Sequence, residues 1–177
     1  MARQLGFKEL KAPSRRFGGS LLKSHAKVKR PLESKLPIHL VLRSRKSVLL
    51  LYKNQGRVQA CIDRVFKKHG VKLYKMANVG NHIHFVLKIP RRRYWAGFIR
   101  ELTGRIASIA GVRGERFWSQ LPFTEIVGGW RTAFKEVLQY VTLNQWQADG
   151  HIDRREIRKW KDLDKIWGVG LGLRRFA

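Results

Sequence analysis

Two runs of residues, 71–78 and 82–89, both read as β-strands and are separated by little more than the turn residues Gly80 and Asn81. A connection that short joins antiparallel strands, because a parallel pairing needs a crossover of a dozen residues or more. The second run reads His82-Ile83-His84-Phe85-Val86-Leu87-Lys88-Ile89. Side chains alternate between the faces of a strand, so Ile83, Phe85, Leu87 and Ile89 share one face while His82, His84, Val86 and Lys88 share the other. The hairpin therefore has an apolar face that must be covered by other elements.

The rest of the chain supplies them. Residues 37–44 (PIHLVLRS) alternate loosely and predict a strand. Asn54 opens a helix that runs to Lys68, with Val58, Cys61, Ile62, Val65 and Phe66 at helical spacing and His69-Gly70 closing it. Pro90 stops the hairpin, and the basic run Arg91-Arg92-Arg93 leads into a second helix at 94–110. A loop over 111–120 precedes a short strand at 122–127. Gly128-Gly129 then introduces a third helix at 130–147, whose buried stripe is Trp130, Phe134, Val137, Leu138 and Val141. The order β-α-β-β-α-β followed by a helix predicts an α+β fold, the ferredoxin-like or RRM-like split βαβ with one antiparallel sheet. That platform is common among proteins of single-stranded nucleic acid, yet a fold alone implies no chemistry.

Charge points the same way. The 177 residues carry 38 Lys+Arg against 12 Asp+Glu, a net charge of +26. A small domain so charged repels itself, and a polyanion whose counterions are released on binding relieves that repulsion. Residues 1–35 form a basic arm with little periodicity, 36–148 the folded domain, and 149–177 a basic tail with one helix near 154–167. Cys61 is the single cysteine, which excludes a disulfide framework and a cysteine-based zinc site. The first residues hold no apolar run of signal-peptide length, and 48–52 is too short to span a bilayer. The expected setting is the cytoplasm, on the nucleoid, with no membrane partner.

Two histidines at i and i+2 of one strand point the same way and can chelate one divalent cation, although ordinary surface or core histidines produce the same spacing. On the third helix, Tyr140 and Asn144 are one turn apart on the margin of the buried stripe. An amide there needs a partner, which a metal or a neighbouring strand would supply. Arg91, Arg92, Arg93, Arg100, Arg105, Arg113 and Arg116 are placed to track phosphates, and Tyr94, Trp95 or Trp118 to stack on unpaired bases; for any single tryptophan, core packing is the competing explanation. His25, His39, His69 and His151 have no comparable setting and read as structural, and Glu115, Glu125 and Glu136 are not placed well enough to count as ligands.

Taken together, Asn81-His82-Ile83-His84-Phe85-Val86 and Tyr140-Val141-Thr142-Leu143-Asn144 resemble the two signature segments of the single-tyrosine HUH transposases, and most nearly their REP-associated tyrosine members. Residues 37–41 resemble that family's first strand and 116–120 its tryptophan-containing stretch, so the likeness covers about 36–148. The resemblance implies a nuclease that binds a DNA hairpin and cleaves one strand at its foot. It implies Tyr140 as nucleophile, His82, His84 and Asn144 as ligands of Mg²⁺ or Mn²⁺, and a 5′-phosphotyrosine link beside a free 3′-hydroxyl. A phenol, with a pKa of about 10, attacks phosphorus poorly unless activated, and a bound cation provides that activation. The partner implied is single-stranded DNA with a REP-like palindrome, and the protein a monomer or a homodimer in which the tyrosine helix serves its own or the partner's site. REP-associated members commonly carry proline after the asparagine, where this chain has Gln145. The alternatives are a non-catalytic RRM-like binder of single-stranded or hairpin nucleic acid and, on charge alone, a ribosome-associated or packaging protein.

Overall fold

The computed structural model describes residues 15–21, 29–45, 54–110, 116–128 and 132–152. In chain order its elements are β1 (Arg16–Phe17), β2 (Ile38–Arg43), α1 (Gln55–Lys68), β3 (Lys72–Asn78), β4 (His82–Lys88), α2 (Trp95–Ile109), β5 (Phe123–Ile126) and α3 (Thr132–Ala148). Single 3-10 turns lie at Gly19–Leu21 and Arg92–Tyr94. The strands form one sheet in the order β1-β5-β2-β4-β3, with every pairing antiparallel. This is the α+β, ferredoxin-like arrangement that the order of elements predicts.

The topology interleaves two split βαβ units. In one, β2-α1-β3, strand β4 is inserted; in the other, β4-α2-β5, strand β2 is inserted. Such crossovers share one hand, which places both helices on the same face of the sheet. There Ile38, Leu40 and Leu42 of β2 and Ile83, Phe85 and Leu87 of β4 meet Val58, Ile62, Val65 and Phe66 of α1 and Phe98, Leu102 and Ile106 of α2. Phe66 joins the layers, its ring 5.5 Å from Phe85 and 5.1 Å, edge-on, from Phe98. Gly80, at φ 88°, makes the expected turn between β3 and β4, and its N–H donates to Asn78 Oδ1 at 3.2 Å.

The opposite face is left for α3, which lies over β3 and β4. Val141 is buried against Ala77 and Val86, flanked by Phe134, Val137 and Leu138. A β-bulge between Leu73 and Lys75 turns Tyr74 onto this face, where its ring meets Phe134 edge-on at 5.1 Å. Trp130 of the expected stripe, Arg113 of the basic set and the helix expected at 154–167 fall outside the described residues. Among the described residues no helix is long and apolar enough to cross a membrane.

The described part of the N-terminal arm packs on the domain, so the packed unit extends before residue 36. Arg16 and Phe17 pair with Glu125 and Thr124 at the sheet edge, and Arg16 Nε donates to Glu125 Oε1 at 2.8 Å. Gly18 then turns the chain at φ +81°, where a Cβ would lie 2.2 Å from the Pro122 carbonyl oxygen. Arg30 closes the arrangement, donating from Nη1 to Pro122 O at 2.8 Å and Thr124 Oγ1 at 2.7 Å while lying 4.4 Å over the Phe17 ring. Burial pushes this guanidinium down to about 10, still charged at neutral pH. The arm's periodicity is too short to announce β1, since two residues make no pattern. Arg30→Met is expected to lower stability by about 2–3 kcal/mol, because charge-assisted bonds to part-buried oxygens are lost. Urea unfolding checks this, and an unchanged midpoint would contradict the clamp.

Candidate active site

Strand alternation and sheet register build the site on the α3 face. His82 and His84 of β4 point there together, their ring centroids 4.6 Å apart. Register adds a residue that sequence reading left as structural. His39 of β2 pairs directly with Val86 and so shares the face, one step along from His84. Its Nε2 and His84 Nδ1 share a 3.1 Å hydrogen bond, with the rings 5.3 Å apart and only 11° from parallel. The only signal in the sequence was the position of His39 in a strand that pairs with β4. A single residue reveals neither the partner strand nor the register.

Helix α3 brings Tyr140 to the same place within the same chain. Its ring meets His84 edge-on at 5.6 Å and His39 at 6.0 Å. Asn144 stands one turn on, its Nδ2 donating to the Tyr140 carbonyl at 2.7 Å, so that Oδ1 is the atom of this amide able to ligate a cation. Gln145, at the position where the resemblance leads one to expect proline, fastens this end of the helix: its Oε1 accepts the Asn78 N–H at 2.9 Å and its Nε2 donates to Asp149 Oδ1 at 2.8 Å. Proline could make neither bond.

The electrostatics suit metal ligation. Burial pushes His39 down to about 4, and burial together with neighbouring His39 and His82 pushes His84 down to about 2. Both are neutral at pH 7, the form that ligates metals. His84 Nε2 is buried with no hydrogen-bond partner. Such an orphan is costly, and a cation at that point would satisfy it. Asn81 Oδ1 lies 2.5 Å from His82 Nδ1, which engages the corresponding nitrogen of that ring. Among the described residues no three His, Cys, Asp or Glu side chains form a closed metal-binding group, so a bound ion needs Asn144 or non-protein oxygen to complete its shell.

The basic residues are dispersed. Arg43, the cross-strand partner of His82, lines an open pocket of about 470 Å³ with Ser44, Arg45, Asn81, Ser119 and Gln120. Arg91, Arg92 and Arg93 follow the far end of β4, on the order of 20 Å from His84 at the usual strand rise. There Arg92 Nη2 donates to the Arg30 carbonyl and Arg93 Nη2 to the Tyr94 hydroxyl. Exposed Arg100 and Arg116 flank a second cavity, of about 490 Å³, on the α2 side of the sheet. Trp118 lines this cavity half-buried, its ring 4.7 Å from Phe117 and its Nε1–H donating to Thr103 O at 3.1 Å. Trp95 is 8% exposed and packs in the core, whereas Tyr94 is 41% exposed. Arg43 and Arg45, the arginines of the pocket beside His82, were missed because register alone puts them there.

Residues 33–144 match the family described as "Transposase IS200 like". The chain belongs to this family of IS200-like transposases. The matched span contains His39, His82, His84, Tyr140 and Asn144, and leaves most of the basic arm and the tail outside. Among solved structures, a REP-associated tyrosine transposase bound to a REP hairpin is similar in fold, with a TM-score of 0.59 at 13% identity over 68% of this chain and 72% of that one. A candidate transposase from Deinococcus radiodurans R1 aligns with a TM-score of 0.45 at 13% identity over 70% of this chain and 98% of that one. No curated protein matches the chain.

The buried histidines make stability depend on pH with a definite sign. In the unfolded chain each takes up a proton as pH falls through 6.5, while the folded chain resists until about 4 for His39 and about 2 for His84. Their contribution is therefore intact above neutral pH and is lost as pH falls below 6.5. The loss is about 2 kcal/mol per histidine by pH 5. Urea unfolding at pH 7 and pH 5 checks this. His39→Gln should remove roughly half of the histidine-linked loss, and an unchanged pH dependence would contradict neutral burial.

Proposed function

We propose that this transposase is a metal-dependent single-strand DNA endonuclease that binds a DNA hairpin and cleaves and rejoins one strand through a 5′-phosphotyrosine link. The observation that carries the reading is the contact of Tyr140 with His84, whose outward nitrogen is buried and unpartnered. His82 and His84, with Asn144 Oδ1, are the proposed ligands. A Mg²⁺ or Mn²⁺ ion held there would polarise the scissile phosphate and stabilise charge developing on its oxygens.

The residues of the chain do the rest. Tyr140 supplies the nucleophile: its oxygen bonds to phosphorus, the bond from phosphorus to the 3′-oxygen breaks, and the phenolic proton is released as the departing 3′-oxygen takes one up. The phosphodiester bond is conserved as a phosphotyrosine, so rejoining by the 3′-hydroxyl needs no external energy. Packing of α3 by Val141 and Phe134 and its tie through Gln145 hold the nucleophile against the histidines. Arg43 and Arg45 beside His82 fit the strand entering the site. Arg91, Arg92, Arg93, Arg100, Arg113 and Arg116, with Trp118, are proposed to hold more distant parts of the DNA. A hairpin with a single-stranded foot is the proposed partner, the solved structure of similar fold having a REP hairpin bound.

A denaturing gel of the protein incubated with Mn²⁺ and an end-labelled hairpin oligonucleotide tests the reading. Label at the 3′ end should become attached to protein, and label at the 5′ end should leave on a fragment ending in a 3′-hydroxyl. Tyr140→Phe should form no adduct, and His84→Ala about 100-fold less or lower still. Tight binding by wild type without any adduct would instead indicate a non-catalytic hairpin binder. An adduct formed by Tyr140→Phe would move the nucleophile elsewhere.

A further inference from the structure

We infer that His39 is a positioning residue, holding His84 in the tautomer protonated on Nδ1 so that Nε2 presents its lone pair to the metal. The inference rests on the proposed role of His84 as a ligand. The geometry of the two rings is the starting point. A centroid separation of 5.3 Å with an N···N distance of 3.1 Å and an 11° interplanar angle means the rings meet edge to edge in almost one plane. Face-to-face stacking would bring the centroids closer. Edge-on contact points the lone pair of one ring nitrogen directly at the N–H of the other.

One proton lies between the two nitrogens, and its owner decides what Nε2 of His84 becomes. If His39 Nε2 donates, His84 carries its own proton on Nε2, a buried N–H with no acceptor that cannot ligate. If His84 Nδ1 donates, the unpartnered atom is a lone pair, which is the form a cation takes up. One neighbour favours the second arrangement. Glu125 is the direct cross-strand partner of His39 on the side away from β4. Arg16 holds its Oε1, while Oε2 is buried without a partner. An anion there favours a proton on the remaining nitrogen of His39, Nδ1, and leaves Nε2 to accept. Asn81 does for His82 what His39 does for His84: its Oδ1 can only accept, so His82 Nδ1 must donate. The two ligands are thus oriented by an amide on one side and by an imidazole on the other, in the manner of outer-shell partners of metal-bound histidines.

Two-bond proton–nitrogen correlation spectra of ¹⁵N-histidine-labelled, metal-free protein read which imidazole nitrogen carries the proton. For wild type, His84 is expected as Nδ1–H with a bare Nε2. His39→Gln keeps an acceptor near the same place and should preserve that tautomer; His39→Leu should lose it. Mn²⁺ titration followed by electron paramagnetic resonance should then show affinity lowered about 10- to 100-fold in His39→Leu and largely restored in His39→Gln. His84 protonated on Nε2 in wild type, or Mn²⁺ affinity in folded His39→Leu equal to wild type, would overturn the inference. The wild-type spectrum decides the tautomer even if the leucine variant does not fold. Failure of the metal reading is separate: Mn²⁺ binding that His84→Ala does not weaken would reject the ligand role, while the spectrum still assigns the His84 proton.

Discussion

The single hand of βαβ crossovers governs much of this molecule. Because β2-α1-β3 and β4-α2-β5 cross the same way, both helices crowd one face of the sheet and fill it with the Ile38–Leu40–Leu42 and Ile83–Phe85–Leu87 ladders. The other face keeps the alternate residues of the same strands, His39, His82, His84 and Val86. With no crossover helix to cover it, that face receives α3, the last described element. The side chains of the candidate site thus stand on a sheet whose reverse side carries the main core, and one added helix supplies Tyr140 and Asn144.

The histidine cluster is expensive in folding terms. Two imidazoles are held neutral by burial, and an unpartnered nitrogen is left in the interior beside an aromatic ring. A fold optimised for stability alone would place apolar residues there. Local cost tolerated at one spot, amid a consistently packed surround, is the physical mark of a functional site. Membership of the IS200-like transposases agrees with that mark.

Much of this was legible in the sequence, and the reasons for the gaps are physical. Alternation along 82–89 fixed the shared face of His82 and His84, and helical spacing set Asn144 one turn from Tyr140, because both patterns are properties of a single segment. His39 and Arg43 acquire meaning only when β2 pairs with β4 in a given register, a non-local fact that no single strand displays. The same holds for Arg16, Phe17 and Arg30. They read as a basic arm because their partners, Thr124, Glu125 and the Pro122 carbonyl, lie about a hundred residues downstream. The converse also occurs: Trp95, a possible stacking residue by type, is core by packing. The basic run at Arg91–Arg93 lies at the strand end away from the histidines.

The chain's own α3 covers the face left open by the crossovers and sets Tyr140 beside His84 and His39; the proposed nucleophile and histidines would then act within one molecule. Mixing Tyr140→Phe with His84→Ala, each folded, tests this most directly, with hairpin oligonucleotide and Mn²⁺ under conditions where wild type forms its covalent adduct. Assembly within one chain predicts that the mixture forms no more adduct than either variant alone. Adduct restored toward about a quarter of the wild-type level, as random pairing of the two variants would give, would contradict it, showing that the tyrosine of one chain serves the histidines of another.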